Sequence, residues 1–187
     1  GGYSLAVLAP LAAINYKAPF IDMNLIYAAI TSVAIFCFFN FSKKAKCFAG
    51  DVGAVGVAFI ILFILGDLIL TTGNLWYLIL LGVYGVDSVL TIFHRLLLHE
   101  NIFFAHRKHA YQLMANELKI PHVAVSTFYM ILQLGISFGL LYLPTNKWIY
   151  FVAVLLALIV SYIYFMKKFY RLHEDYLKSK EIYNVNG

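Results

Sequence analysis

"GAVGVAFIILFILGDLIL", residues 53–70, is apolar throughout except for one charge, Asp67. About 20 such residues cross the ~30 Å hydrocarbon layer of a bilayer as a helix, so this stretch reads as a transmembrane span. Runs at about 23–41, 74–93 and 148–166 have the same character, and another at about 123–143 stops before Pro144. A shorter apolar run, 3–14, carries neither a basic leader nor a small-residue cleavage site, so it reads as a helix and not as a signal peptide. The expectation is an all-α, polytopic integral membrane bundle of about five to six spans. It occupies residues 1–166, and a basic tail follows over 167–187.

Composition leads to the same class. Of 187 residues, 63% are hydrophobic and 12% are charged, and mean hydropathy is +0.82. Soluble domains carry roughly twice that charge fraction. The net charge of +5 does not indicate nucleic-acid binding; in such a chain the basic residues set orientation. Cys37 and Cys47 have no metal-type spacing, and a structural disulfide between them is not expected.

The loops sort by charge. Lys43, Lys44 and Lys46 lie in the loop 42–52; Arg95, Arg107, Lys108 and Lys119 lie in 94–122. Lys167, Lys168, Arg171, Lys178 and Lys180 lie in the tail. Only Lys17 and Lys147 fall outside these three segments. The basic and non-basic loops alternate along the chain, as successive spans require. The positive-inside rule therefore assigns 42–52, 94–122 and the tail to the cytoplasm.

Two cytoplasmic segments then carry the chemistry. In "CFAGDVGAVG", 47–56, Asp51 stands between Gly50 and Gly53 where a loop enters a span. Glycines allow close backbone approach to a ligand, and a helix N-terminus favours an anion. A carboxylate opposes that anion unless a cation such as Mg²⁺ joins them. In the other reading Asp51 caps the helix while Gly53 and Gly56 pack on a neighbour; local physics leaves the two even. In "FFAHRKHAYQ", 103–112, His106 and His109 share a face if the segment is helical, and Arg107 presents a planar fork suited to phosphate. A basic cluster touching lipid headgroups is the plainer alternative.

Other polar residues rank lower. Asp87, inside a span, is suspect because intramembrane charge is costly; it could pair with Arg95 or a loop histidine, or shape the site. Asp67 reads as a boundary residue, His94 and Arg95 as side chains reaching out to the interface, and His122 and His173 as bystanders. The Phe and Tyr content suits lipid contact and interfacial belts.

Taken in order, "FAGDVGAVG", "GVDSVLTIFHRLL" and "FFAHRKHAYQLM" resemble the polyprenyl-phosphate N-acetylhexosamine-1-phosphate transferases, glycosyltransferase family 4. The family includes the phospho-N-acetylmuramoyl-pentapeptide transferase. The resemblance spans essentially the whole chain. It implies transfer of a HexNAc-1-phosphate from a UDP-sugar to undecaprenyl phosphate, with release of UMP, to initiate a bacterial cell-envelope polysaccharide such as O-antigen or a cell-wall polymer. It implies the bacterial inner membrane, with the active site on the cytoplasmic face. It further implies that Asp51 binds Mg²⁺, or Mn²⁺ in its place, and acts in catalysis. Gly50 and Gly53 flank it at the substrate, and His106, Arg107 and His109 recognise the nucleotide sugar with Asp87 in support. Expected partners are a UDP-N-acetylhexosamine donor, undecaprenyl phosphate and the bilayer, with no nucleic acid; a homo-oligomer is compatible.

The peptidoglycan branch has three consecutive histidines in this loop, whereas His106-Arg107-Lys108-His109 is closer to the branch using simple UDP-HexNAc sugars. The family also has an upstream pair of adjacent aspartates and an Asn/Asp loop before a "GGY"-like stretch. The chain starts "GGYSLAVL", so it is expected to correspond to the C-terminal half and not to catalyse transfer alone; UMP release by the 187-residue chain would overturn that. Two other classes remain. A di-iron hydroxylase would use His94, His99, His106 and His109 as histidine boxes. A transporter or channel would use Asp67 and Asp87 as intramembrane ion ligands, with broken helices near the midplane.

Overall fold

A computed structural model of the protein describes residues 1–41, 46–99 and 108–185, with 171–185 as backbone only. Lys43, Lys44, His106 and Arg107 lie outside the described residues, as do the side chains of Arg171, His173, Lys178 and Lys180. Among the described residues there is no strand. The elements are α1 (Gly2–Lys17), α2 (Met23–Asn40), α3 (Gly50–Thr72), a 3-10 segment (Leu75–Leu81) continuing into α4 (Gly82–Leu97), α5 (Ala110–Asn116), α6 (His122–Tyr142) and α7 (Lys147–Val185). Among the described residues, five segments are long and apolar enough to cross a membrane: Met23–Asn40, Gly50–Thr72, Leu75–Leu97, His122–Tyr142 and Lys147–Tyr170. The chain is thus an all-α, multi-pass membrane bundle. Successive antiparallel spans bring the start of α3, the end of α4, α5 and the start of α6 to one end.

Each span stops where local chemistry requires it. Asp22 caps α2 by accepting the Asn24 N–H at 2.9 Å. Gly73 ends α3 in the left-handed region at φ +70, which costs a residue without Cβ nothing. Pro121 and Pro144 bracket α6. The Lys147 ammonium donates to the Leu140 and Leu143 carbonyls at 2.6 and 3.0 Å, satisfying acceptors at the negative end of α6.

The run 3–14 extends at both ends to become α1, the most enclosed helix. Ala6, Val7, Leu8 and Leu11 are exposed by 1% or less. α1 packs against α2, α3 and α6, while α7 covers α4 and α5. Buried Asn15 closes the turn after α1, accepting from the Phe20 and Ile21 amides and donating to the Ile21 carbonyl. The outward faces stay apolar: Phe38, Leu70, Ile149 and Val160 are all more than 60% exposed, as lipid-facing positions are.

The third span is where helix geometry breaks, at Leu81–Gly82. In a bilayer, backbone groups freed by such a break need protein partners. Gln133, fully buried on α6, supplies them. Its Oε1 accepts from the Val83 N–H at 3.2 Å and the Tyr3 hydroxyl at 2.9 Å, and its Nε2 donates to the Ile79 carbonyl at 3.0 Å. Gln133→Leu orphans those groups at about 1–3 kcal/mol each. Thermal unfolding in detergent is expected to fall by several degrees; an unchanged midpoint would show that the break satisfies itself.

Candidate functional site

At the end of the bundle that holds the basic loops, α4 places Asp87, Thr91 and Arg95 four residues apart, on one face. All three are buried. The Asp87 carboxylate is the hub. Its Oδ1 accepts from the Ala110 N–H at 2.9 Å and from the Thr91 hydroxyl at 3.3 Å, and lies 3.6 Å from His109 Nδ1. Its Oδ2 accepts from the Tyr129 hydroxyl of α6 at 3.2 Å. Thr91 in turn lies 2.8 Å from the Tyr162 hydroxyl of α7. One carboxylate therefore joins α4, the start of α5, and α6, and reaches α7 through Thr91.

Ala110 is the first residue of α5, so its N–H is one of the donors a helix start leaves free. Asp87 accepts it, placing negative charge at the positive end of that short helix. His109 caps the same end, with Gln112 Oε1 3.3 Å from its backbone N–H. The His109 ring stacks on Tyr111 at 5.4 Å between centroids, and Tyr111 stacks on Tyr84 at 5.9 Å. Burial pushes the Tyr111 phenol above its ordinary pKa, and Tyr84 and Asp87 push it further. It remains a neutral hydroxyl at physiological pH.

Asp51 is placed differently. It is exposed in the first turn of α3, with Ala49 at the cap position, so it does not cap the helix by its side chain. It makes no hydrogen bond or ion pair among the described residues. Gly50 adopts φ +61, a conformation that favours glycine. Among the described residues, a Cβ added at Gly50 or Gly56 would meet nothing within 4 Å, and one at Gly53 would meet only its own helix's Ala49. Among the described residues, the reading in which Gly53 and Gly56 pack against a neighbouring helix finds no partner, because α3 buries Ile61, Ile64, Leu65 and Leu68 in its far half.

The structure brings Asp87 and His109 together and joins neither of them to Asp51. His106 and Arg107 lie outside the described residues. One expectation needs correction. Arg95 does not reach out to water: it is 3% exposed, because the four-residue spacing from Asp87 and Thr91 puts it on the covered face. His122, the first residue of α6, is exposed and borders a cavity with Tyr111 and Tyr129. The tyrosines that build the site, Tyr3, Tyr84, Tyr111, Tyr129 and Tyr162, went unread because their Tyr-rich context suggested interfacial belts.

A free carboxylate on an open, glycine-flanked helix start suits one ligand position of Mg²⁺, which commonly takes one or two carboxylates together with substrate phosphates. Asp51 fits that part. Among the described residues no three His, Cys, Asp or Glu side chains gather to hold a metal by themselves. No protein-family model, no curated protein and no solved structure matches the chain.

Proposed function

We propose that the protein transfers a HexNAc-1-phosphate from a UDP-sugar to undecaprenyl phosphate at the cytoplasmic face of a bacterial membrane. The observation that carries the reading is the Asp87 hub: it fixes the root of the basic loop, His109 and Ala110, at the same end of the bundle as the Asp51 helix start. The motif resemblance supplies the reaction. An oxygen of the acceptor phosphate bonds to the sugar-bearing phosphorus of the donor. The bond from that phosphorus to the bridging oxygen breaks, and UMP leaves with the bridging oxygen.

Every reactant is an anion, so the protein's task is electrostatic. Asp51 would hold Mg²⁺, or Mn²⁺, which when bound supplies positive charge across the diphosphate oxygens. Arg107 would grip phosphate oxygens through two parallel hydrogen bonds. His109, oriented by Asp87, would bind the donor beside it. The exposed apolar faces of the spans leave room for the acceptor's polyprenyl chain in the bilayer.

Titrating both substrates against Arg107→Lys and His109→Ala in the full-length protein tests the loop. Arg107→Lys keeps charge but loses the fork, so kcat/KM for UDP-sugar is expected to fall about tenfold, the equivalent of one charge-assisted hydrogen bond. Undecaprenyl-phosphate affinity is expected to hold. If only the acceptor's apparent affinity moves, or if losses track anionic lipid content, the loop serves the lipid side.

A transporter is the second reading, favoured by the break in the third span and the buried Asp87. Yet Gln133 spends both ends of its amide on the protein, and both Asp87 oxygens accept from protein donors. Neither is directed at a passing ion. Substrate-driven flux in proteoliposomes without UMP release would favour this reading over transfer.

A further inference from the structure

Between α4 and α7 lies a groove of about 590 Å³, within the ~300–1,000 Å³ range of ligand pockets. Both helices run toward the end of the bundle that holds the basic segments, and the groove lies at that end. Its lining extends from Leu90 to Leu97 on α4 and from Tyr162 to Tyr170 on α7, about 10–12 Å at a rise of about 1.5 Å per residue. Half of a ~30 Å hydrocarbon layer is about 15 Å, so the groove stays within one leaflet.

The two ends of the groove differ in chemistry. Toward the bilayer centre the lining is Leu90, Phe93 and Ile163, with Tyr162. The Tyr162 hydroxyl lies 2.8 Å from that of Thr91, so its one polar atom is engaged within the protein and this end is apolar. Phe93, Leu97 and Ile163 are each more than half exposed, whereas Met166 is 6% exposed. Met166 therefore forms a floor, and the walls open onto lipid.

The other end carries His94, Lys167 and Tyr170. The His94 and Tyr170 rings meet edge to face at 4.8 Å between centroids and join the two helices there. Lys167 is exposed in the last turn of the span Lys147–Tyr170, where a lysine carries its ammonium to headgroup level. Among the described residues no Asp or Glu lines the groove, so nothing in it neutralises that charge.

An apolar slot confined to one leaflet, with a cation at its interfacial end, matches an acyl chain beneath an acidic headgroup. A zwitterionic headgroup would bring its own cation to the lysine, whereas an acidic one is attracted outright. The acceptor of the reaction proposed above is a poorer match. Its phosphate has to reach Asp51 on α3, and the described residues lining the groove come from α4 and α7.

We propose that the α4–α7 groove holds one acidic diacyl phospholipid of the leaflet at the basic end, its headgroup at Lys167 and an acyl chain along Phe93 and Ile163. The proposal needs only the membrane bundle and is independent of the transferase reading.

Native mass spectrometry of the delipidated full-length protein tests it, by titration with phosphatidylglycerol and with phosphatidylcholine of the same chains. Lys167→Gln removes the cation at an exposed position, and Ile163→Trp fills the groove from its half-exposed wall. The parent protein is expected to retain one phosphatidylglycerol more tightly than any phosphatidylcholine. Lys167→Gln is expected to weaken that phosphatidylglycerol about fivefold, the effect of one lysine at an acidic surface, and to leave phosphatidylcholine within about twofold. Ile163→Trp is expected to abolish the retained lipid. Equal retention of the two phospholipids, or phosphatidylglycerol binding that neither variant changes, would reduce the groove to ordinary bilayer contact and overturn the proposal. Displacement of the bound phosphatidylglycerol by equimolar undecaprenyl phosphate would assign the groove to the prenyl chain and overturn it. So would a shift from dimer to monomer in Ile163→Trp, which would make a second copy the occupant.

Discussion

Asp51→Asn in the full-length protein is expected to abolish UMP release while the protein still folds and inserts. Asparagine keeps the size and a carbonyl oxygen but loses the charge a hard cation requires. Removing a metal-bound carboxylate costs several kcal/mol of transition-state stabilisation, about 10²–10³-fold in rate. Folding should be spared because Asp51 is exposed and makes no hydrogen bond or ion pair among the described residues. The measurement pairs UMP release across a Mg²⁺ titration with a thermal unfolding curve. A normal unfolding midpoint with no turnover at any Mg²⁺ concentration supports the metal role. Near-normal, Mg²⁺-dependent turnover would sink it and leave Asp51 as a charge at a helix start.

A large stability effect is expected at Asp87. Asp87→Ala leaves the Ala110 N–H and the Tyr129 and Thr91 hydroxyls without their shared acceptor, in a site the carboxylate occupies at 3% exposure. Taking one partner from a buried charged network costs about 3–5 kcal/mol. α5 is short and held by this contact and by packing on α6 and α7, so it should loosen first. The expected result is a lower unfolding midpoint together with faster proteolysis between α4 and α6. Asp87→Asn, which keeps an acceptor oxygen, should lose less stability and retain part of the protection. If Asp87→Ala unfolds and digests like the parent protein, the hub does not hold α5, and the geometric support for the donor loop falls with it.

Much of the site was accessible from residue order, but not in its final arrangement. Asp51 and His109 stand out by residue type, since few other charges interrupt the apolar chain. The Asp87–His109 partnership was one of two pairings open for Asp87; the alternative, Arg95, shares its helix, and choosing between them needed the path of the chain from α4 to α5. Arg95 was misread because snorkelling assumes a side chain facing lipid, and its helix turns that face inward.

The sequence by itself determined that this chain is a membrane bundle, where its spans begin and end, and which loops share an end. Hydrocarbon thickness and the need to satisfy backbone hydrogen bonds within each span are local constraints, written in apolar run length, proline, glycine and charge. Only the tertiary structure decided which helix lies innermost, that Gln133 repairs the break in the third span, and that Asp87 gathers α4, α5 and α6. A bilayer supplies no hydrophobic difference between one helix face and another. Pairing is therefore set by packing and by a few buried polar contacts, and those contacts join residues from 23 to 130 positions apart.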